Sequence, residues 1–350
     1  MQQRPLSAGT VATIDIVEPA PSRCIVAVVN EAKVSSIIRA ILGMLYCSVA
    51  IAAQVKPMKV ILDTDIGDDI DDAWALAFVM AHKEFEPLGI TVTHGNTPVR
   101  AKLACKMLHL AGRGSILVLI GRQTTQPNYS HQFTWAEDFT SLQTAKDRAA
   151  DFIVEAVRRN PGQVTLIAVG PLENLADALR KEPRLGNLVK HVVLMGGCIY
   201  GTAGRQSPIA EYNVYSSVAD SQLAYGAGLP LTIVPLDSTT HVQLNDTERV
   251  QLQRYASPLI FALEALYRLW LESPQSRMTL HDQLAVAEVA APKKFFEKFE
   301  KLPIVVDDKG FTRIDPKKGK PVTVCLQPRR DAFMQYCLGE LLNQRLGMKL

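Results

Sequence analysis

The sequence predicts an α/β fold with a mainly parallel open sheet and helices on both faces. Two observations support this class: strand-like and helix-like segments alternate from Met58 onward, and the strand-like segments are nearly continuous apolar runs, as in strands that are buried on both faces. A third is that polar residues follow four of these runs. Since open α/β sheets bind ligands at the carboxyl ends of their strands, we expect an active site there.

Apolar runs and turn residues place the elements in order. Strands are predicted at 58–62, 88–93, 116–120, 164–169, 192–195 and 231–235. Helical spacing of apolar side chains predicts helices at 71–82, 99–111 and 141–159, and a further helix from 172. Residues 122–140 are polar, aromatic and poorly periodic, which is typical of a long functional loop. The chain then becomes mostly helical to Leu271, with short strands at 302–306 and 322–326 and a closing helix from about 330.

Length and composition predict a folded globular chain. The 350 residues, 47% of them hydrophobic, can bury a large core, and we interpret 56–350 as a single domain. A net charge of +3 without a basic stripe argues against a nucleic-acid partner.

The first 53 residues are interpreted as a leader. An uncharged stretch at 40–53 follows Arg39 and ends in Ala50-Ile51-Ala52, which fits a signal peptide at about 34–53. The stretch is short for a membrane-spanning helix, so no stable span is expected in the mature chain. Its distance from Met1 suggests a later true start. We predict a periplasmic or secreted protein; the alternative is a cytoplasmic one whose leader is an apolar helix or disordered.

Cysteine usage argues against zinc. The six cysteines form no CxxC pair. Buried free thiols are the default expectation, and an exported chain could hold one disulfide whose pairing the sequence does not define.

The stretch from Asp63 to Asp72 holds six carboxylates directly after the first predicted strand. Repulsion between so many carboxylates is unfavourable unless a bound cation offsets it. Oxygen ligands beside a tight Gly turn suit calcium or magnesium. The simpler alternative is a solvated acidic turn that caps a helix.

Polar residues follow three other strands and one late helix start. These are Thr93–Asn96, Val169–Leu175, the loop from Met195 to Asn213, and the pair His281-Asp282. Each has a plain alternative, because Asn96 could be a turn residue or helix cap, Asp282 an N-cap, and Glu211 and Asn213 solvated loop residues. Together they predict one acidic pocket suited to a polyhydroxylated ligand held by a metal.

The motifs resemble those of the nucleoside hydrolase family of the inosine–uridine-preferring type. Its signature D-T-D-P-G-x-D-D-A is followed by a strand-end Asn, G-P-L-x-N-L, V-V-L-M-G-G, A-E-F-N and a late H-D pair. The matching segments here are 63–73, 95–96, 170–175, 192–197, 210–213 and 281–282, in the same order. The resemblance covers about residues 58–350 and implies the nucleoside hydrolase fold.

The resemblance implies calcium-dependent hydrolysis of the N-ribosidic bond of a nucleoside to free base and ribose. Asp65 would act as general base on a metal-bound water, and His281 would protonate the leaving base. The implied calcium ligands are Asp65, Asp72, the Val169 carbonyl and Asp282. The implied sugar-binding residues are Asp71, Asn96, Glu211 and Asn213. Family members form homodimers or homotetramers, so the resemblance also implies self-association.

Three departures from the family pattern leave choices open. Asp65 and Asp72 are two residues further apart than in the signature, so a count without gaps would put Asp69 at a ligand position. Ile66 replaces the usual Pro, and the base-contacting loop has no clear match in 122–140. His131, Phe133 and Trp135 could stack on a base there or pack the loop. The base preference is therefore open.

Two other functions remain as alternatives. A non-catalytic calcium-dependent nucleoside- or sugar-binding protein would use the same pocket, although it would not need the presumed base Asp65. A haloacid-dehalogenase-type phosphatase would use Asp63-Thr64-Asp65, but it leaves Asp71-Asp72 and His281-Asp282 unexplained.

Overall fold

Ten strands form one mixed sheet within the residues that the computed structural model describes, namely 56–125, 130–141, 144–145, 148–255, 257–271 and 277–342. The strands are β1 Met58–Thr64, β2 Phe85–Val92, β3 Val118–Ile120, β4 Thr144–Ala145, β5 Val164–Ala168, β6 His191–Met195, β7 Leu231–Val234, β8 Phe296–Val306, β9 Thr312–Ile314 and β10 Lys320–Pro328. The predicted leader and signal peptide at 1–53 lie outside the described residues.

Helices connect the strands. They are α1 Asp71–Ala81, α2 Thr97–Leu110, α3 Ala149–Arg159, α4 Glu173–Lys181, α5 Leu185–Leu188, α6 Tyr212–Tyr215, α7 Val218–Gly226, α8 Leu236–Thr239, α9 Asp246–Gln253, α10 Pro258–Trp270, α11 His281–Ala290 and α12 Arg330–Leu342. A 3₁₀ helix, His131–Ala136, lies within the predicted functional loop.

The strand order is β4-β3-β2-β1-β5-β6-β7-β10-β8-β9. The strands from β4 to β10 in this order pair in parallel, while β8 is antiparallel to β10 and β9 is antiparallel to β8. The chain builds outward from β1 to β4 and then restarts at β5 on the other side of β1. The sheet therefore has its switch point between β1 and β5, where the loops after the two strands diverge and leave a crevice.

Alternate residues of β1 enter two different apolar clusters. Val60 and Leu62 pack with α1, whereas Ile61 packs with Ile153 of α3 and Leu175 of α4. Since successive side chains of a strand point to opposite faces, helices cover both faces of the sheet. The predicted fold class is confirmed.

Two local predictions were wrong. The helix predicted at 141–159 begins only at Ala149, because Thr144–Ala145 pairs with the edge of β3 as the short strand β4. The short strand β9 was not predicted; it is held by pairing with β8 rather than by its own three residues.

The four cysteines in the described residues, Cys105, Cys198, Cys325 and Cys337, are free and buried, as expected by default. Among these same residues, no helix has the length and apolarity needed to cross a membrane.

Candidate active site

A cavity of about 710 Å³ opens at the carboxyl ends of β1, β5 and β6. It is lined by Asp65, Asp68, Asp69, Asp71, Asp72, Ser130, His131, Val169, Met195, Ile209, Ala210, Glu211, Tyr212, Asn213, Tyr215, Leu236, Leu269, Trp270, His281 and Asp282. Its position follows from the sheet topology, because β1 and β5 flank the switch point.

Three buried carboxylates meet at the floor of the cavity. Asp71 and Asp72 begin α1 and Asp282 lies in the first turn of α11, and one oxygen of each lies within 4.8 Å of the others. The backbone N–H of Asp282 donates to Oδ2 of Asp71 at 3.2 Å, and the Thr64 hydroxyl donates to Oδ1 of Asp72. The amino ends of the two helices therefore bring together carboxylates that are 211 positions apart.

This trio fits a hard cation. Burial is the main cause that raises the pKa of Asp71, Asp72 and Asp282 well above the usual value, and repulsion from neighbouring carboxylates raises it further. A cation would offset both effects, and three carboxylate oxygens are a typical part of a calcium site. The residues present can thus hold a metal ion.

Asp65 lies beside the trio but outside it. Its side chain is 5% exposed, and burial raises its pKa to about 7, while the Arg100 guanidinium acts in the opposite direction. Gly170 passes so close that a Cβ there would lie 2.6 Å from Oδ1 of Asp65. The predicted ligand set therefore differs from the observed trio, which contains Asp71 where Asp65 was expected.

Glu211 and Asn213 lie on the side of the cavity formed by the ends of β5 and β6. Glu211 caps α6 and accepts hydrogen bonds from the backbone N–H groups of Gly197, Asn213 and Val214 at 2.9–3.2 Å. Asn213 donates through Nδ2 to the carbonyl of Val169 at 2.7 Å. Burial raises the pKa of Glu211 to about 7. These contacts place both side chains, and the Val169 carbonyl, on the wall of the cavity.

His281 also lines the cavity, with Nδ1 2.7 Å from the Thr239 hydroxyl. Burial lowers the pKa of His281 to about 4, so the imidazole is neutral at neutral pH. A neutral ring still carries one N–H. The group can donate a hydrogen bond to a leaving base, but it does not store an extra proton.

Asn96 is not brought into the cavity. It is exposed and precedes α2, whereas His94 of the same strand end is buried. The backbone has positive φ at both His94 (64°) and Gly95 (62°), and after this turn Asn96 is the residue that precedes the first turn of α2. The predicted contact of Asn96 with the sugar is not supported by this arrangement.

Comparison with known proteins settles the family. The family model described as inosine-uridine preferring nucleoside hydrolase matches residues 60–335. The chain belongs to this family. Nucleoside hydrolases are enzymes that cleave the N-glycosidic bond of nucleosides to free base and ribose, and the resemblance seen in the sequence is confirmed.

Curated relatives agree with the family assignment. Uridine nucleosidase 1 of Arabidopsis thaliana is 30% identical over 261 residues, which are 69% of this chain and 77% of the plant protein. An uncharacterized protein of Schizosaccharomyces pombe is 35% identical over 195 residues, and the match spans 52% of this chain and 62% of that protein. The solved plant nucleoside hydrolase PpNRh1 has the same fold, with a TM-score of 0.72 at 24% identity, over 82% of this chain and all of that one.

The two extra residues in this nucleoside hydrolase's aspartate motif form part of a braced loop. Gln132 donates through Nε2 toward the carbonyls of Gly67, Asp68 and Asp69 at 3.1–3.2 Å. From the other side, the buried Arg100 donates to Oδ2 of Asp68 at 2.6 Å. Asp69 itself is exposed and lies outside the trio, whereas Asp71 and Asp72 are each 3% exposed.

The aromatic residues of the predicted functional loop have separate positions. His131 lines the cavity, Phe133 packs against Gly67, and Trp135 lies under the Lys106 ammonium at 4.2 Å. Trp270, at the end of α10, also lines the cavity and was not predicted as a site residue. Of the three predicted stacking candidates, only His131 is placed where a base could lie.

Two buried residues that support the site, Arg100 and Gln132, were not predicted from the sequence. Two more, His94 and Glu173, lie within the polar strand-end segments singled out above, although no role was assigned to them. Arg100 is the most informative, because its side chain is completely buried and donates to the carbonyls of Asp65, Ile66 and His94. An Arg within an otherwise apolar helix face was the available signal, since a buried guanidinium requires fixed partners.

Proposed function

We propose that this chain is a calcium-dependent N-ribosyl hydrolase that converts a nucleoside to free base and ribose. The observation that carries the proposal is the buried trio of Asp71, Asp72 and Asp282 beside Asp65 in one cavity. A cation held by the trio, a base next to it, and polar groups on the opposite wall are the parts that such a reaction requires.

Asp65 is proposed as the general base that takes a proton from the attacking water. A base works best when its pKa is near the working pH, and burial raises the pKa of Asp65 to about 7. Its fixed position beside Gly170 and the carbonyl contacts of Arg100 limit its movement. The proton is therefore accepted by a carboxylate that is already oriented.

When bound, Ca²⁺ would orient the sugar diol and make a water more acidic. We propose Asp72, Asp282 and the Val169 carbonyl as its ligands, together with Asp65 or Asp71. Cleavage develops positive charge on the ribose, which the surrounding carboxylates stabilise. Asp71, Glu211 and Asn213 are proposed to bind the sugar; Asn96 is omitted because it does not line the cavity.

His281 is proposed to assist the leaving base. If Nδ1 accepts from Thr239, the hydrogen of the neutral ring lies on Nε2 and can be donated to the base. His281→Ala should then slow uridine at least about tenfold more than 4-nitrophenyl β-D-riboside, whose phenolate leaves without protonation. Equal losses on both substrates would remove His281 from this role.

We propose uridine as the first substrate to test. The Arabidopsis relative is named a uridine nucleosidase, and a Shewanella relative that is 29% identical is named a pyrimidine-specific ribonucleoside hydrolase. The deciding experiment measures ribose release by the full chain from uridine, cytidine, inosine and adenosine in the presence of Ca²⁺. Asp65→Asn should lose on the order of 10² or more in kcat. The control Asp331→Asn, whose side chain is 96% exposed outside the cavity, should keep full activity.

Ca²⁺ binding is tested separately by calorimetry and thermal unfolding. Wild type should gain about 2.7 kcal/mol of stability when free Ca²⁺ is a hundredfold above Kd, and a chelator should remove this gain. Asp72→Asn and Asp282→Asn should abolish the Ca²⁺-dependent shift, whereas Asp331→Asn should retain it. Nucleoside binding without turnover would instead favour the non-catalytic binding protein.

Export and self-association complete the proposal. We propose that residues 34–53 direct the chain to the periplasm or outside the cell, and that the mature chain forms homodimers or homotetramers. N-terminal sequencing of the purified protein and light scattering at several concentrations test these two points.

A further inference from the structure

A row of hydrogen bonds runs from the interior to the cavity wall through Glu173, His94 and Tyr212. Oε1 of Glu173 lies 2.8 Å from Nδ1 of His94, and Nε2 of His94 lies 3.3 Å from the Tyr212 hydroxyl. His94 and Glu173 are each 1% exposed, whereas Tyr212 is 42% exposed and lines the cavity. The series that begins with the buried Glu173 and His94 therefore ends at Tyr212, which a ligand in the cavity can contact.

The backbone of His94 adopts an uncommon conformation. Its φ of +64° lies in the left-handed region, which few residues other than Gly adopt, although Asn, Asp and His do so more often than the rest. Such strain persists where the surroundings impose it, and it concentrates at functional sites. The ring is fixed by Glu173 on one side and meets the Tyr212 ring edge-on, with centroids 5.8 Å apart at 86°.

The hydrogen positions follow from the partners. A carboxylate accepts hydrogen bonds, and Glu173 also receives one at Oε2 from the Thr93 hydroxyl at 3.0 Å. Nδ1 of His94 therefore carries a hydrogen, and in the tautomer with a single ring hydrogen Nε2 is an acceptor. The Tyr212 hydroxyl then donates its hydrogen to His94.

This arrangement fixes what Tyr212 can offer to a ligand. Its single hydrogen is directed at His94, so its oxygen can only accept in the cavity, and one lone pair remains even with the Ser216 hydroxyl nearby. Burial raises the pKa of Tyr212 to about 12, so the phenol stays protonated at neutral pH. Tyr212 stands between Glu211 and Asn213 in the chain, and all three line the cavity.

We propose that Tyr212 is a specificity-determining residue whose oxygen, oriented by His94 and Glu173, accepts a hydrogen bond from one hydroxyl of the bound sugar. This inference rests on the proposed ribosyl-hydrolase function. The family segment that this stretch resembles reads A-E-F-N, and Phe lacks the hydroxyl. The hydroxyl of Tyr212 is therefore absent from the motif that this stretch resembles.

The test compares Tyr212→Phe with wild type on uridine and on its 2′-, 3′- and 5′-deoxy analogues. On uridine, and on the analogues that keep the contacted hydroxyl, kcat/KM should fall about three- to tenfold. On the one analogue that lacks it, Tyr212→Phe and wild type should be equal. A uniform loss on all four substrates, or no loss on any, would overturn the proposal.

His94→Asn separates orientation from mere packing. Asn tolerates the left-handed backbone, but it is too short to reach the Tyr212 hydroxyl. It should reproduce the selectivity pattern of Tyr212→Phe, and the double variant should add nothing further. A purely structural role would lower the melting temperature without changing the ratio of kcat/KM between uridine and its analogues. Wild-type selectivity in His94→Asn would overturn the role of His94.

Calorimetric measurement of binding distinguishes a failure of this inference from a failure of the proposed function. If wild type binds uridine but releases no ribose, the hydrolase proposal fails. The dissociation constants of the four compounds for wild type and Tyr212→Phe then decide the role of Tyr212. Selective weakening that disappears with one deoxy analogue supports the role, and equal dissociation constants for the two proteins overturn it.

Discussion

Asn174 donates a hydrogen bond through Nδ2 to Oδ1 of Asp63 at 2.7 Å, although the two residues are 111 positions apart. The contact joins the helix after β5 to the end of β1, across the switch point of the sheet. Asp63 is completely buried, and it also accepts from the Thr91 hydroxyl of β2 at 2.5 Å. Asp63 thus joins three structural elements immediately before the acidic residues from Asp65 to Asp72.

Asn174→Ala should destabilise the fold by about 1–3 kcal/mol. The change leaves Asp63 with one hydrogen-bond donor fewer in the interior, where an unsatisfied carboxylate is costly. Urea denaturation measures the free energy of unfolding. The exposed Asn187, changed to Ala, is the control and should remain within about 0.5 kcal/mol of wild type. Equal stabilities of the two variants would contradict the role of this contact.

Gly170→Ala should lower kcat more than tenfold. The added Cβ would lie 2.6 Å from Oδ1 and 2.8 Å from the backbone nitrogen of Asp65, so the proposed base must move. Steady-state kinetics with uridine measures the loss. Gly339→Ala is the matched change, because nothing lies within 4 Å of its Cβ position in α12, and its kcat should be unchanged. Normal turnover in Gly170→Ala would show that this close approach is not required.

Gln132→Ala should weaken Ca²⁺ binding about 10- to 100-fold. Its amide braces three successive carbonyls of the loop that leads to Asp71 and Asp72, and residues that orient ligands commonly have effects of this size. Calorimetric titration gives the dissociation constant. Thr134→Ala, in the same 3₁₀ helix, removes only a hydrogen bond to His131 and should bind Ca²⁺ normally. If Gln132→Ala binds equally well, the loop does not need this brace.

Glu288 should make stability fall as the pH rises. Burial raises its pKa from 4.5 to about 7, so between these values the folded state holds a proton that the unfolded state has released. The unfolded state binds fewer protons there, and the free energy of unfolding therefore decreases from about pH 4.5 to about pH 7. The loss is on the order of 1–2 kcal/mol after allowance for solvent screening.

Glu288→Gln should accordingly be more stable than wild type at pH 8 and nearly equal to it at pH 4.5. Urea denaturation at the two pH values measures the difference between the variants. The control Glu297→Gln removes a carboxylate whose side chain is 61% exposed, and it should show no such dependence. Parallel stability curves for wild type and Glu288→Gln would contradict the prediction.

Most of the parallel sheet could be predicted from the sequence, because its strands are apolar runs that end in polar residues. The predictions failed where pairing rather than composition forms the element. Thr144–Ala145 is a strand only because β3 lies beside it, and the preceding and following residues had suggested a helix. Thr312–Ile314 depends on β8 in the same way.

The acidic part of the site was predictable, and its supporting residues were not. Asp71, Asp72 and Asp282 lie at two helix starts on the same sheet edge, and the topology brings them together. Glu173 and Gln132 act through hydrogen bonds to residues distant in the chain, and such contacts leave no periodic signal in the sequence. Asn96 lies outside the cavity lining, and the turn at positions 94 and 95 that precedes it cannot be recognised from residue types alone.

The pairing of Asp71 with Asp282 has a consequence for how the protein is made. Because the two helix starts are 211 positions apart, a chain emerging from the ribosome contains Asp71 and Asp72 long before their partner. Until α11 has been synthesised, Asp71 and Asp72 lack the third carboxylate of the trio. The trio can therefore form only after Asp282 has been synthesised, and an arrested chain that ends before His281 cannot form it.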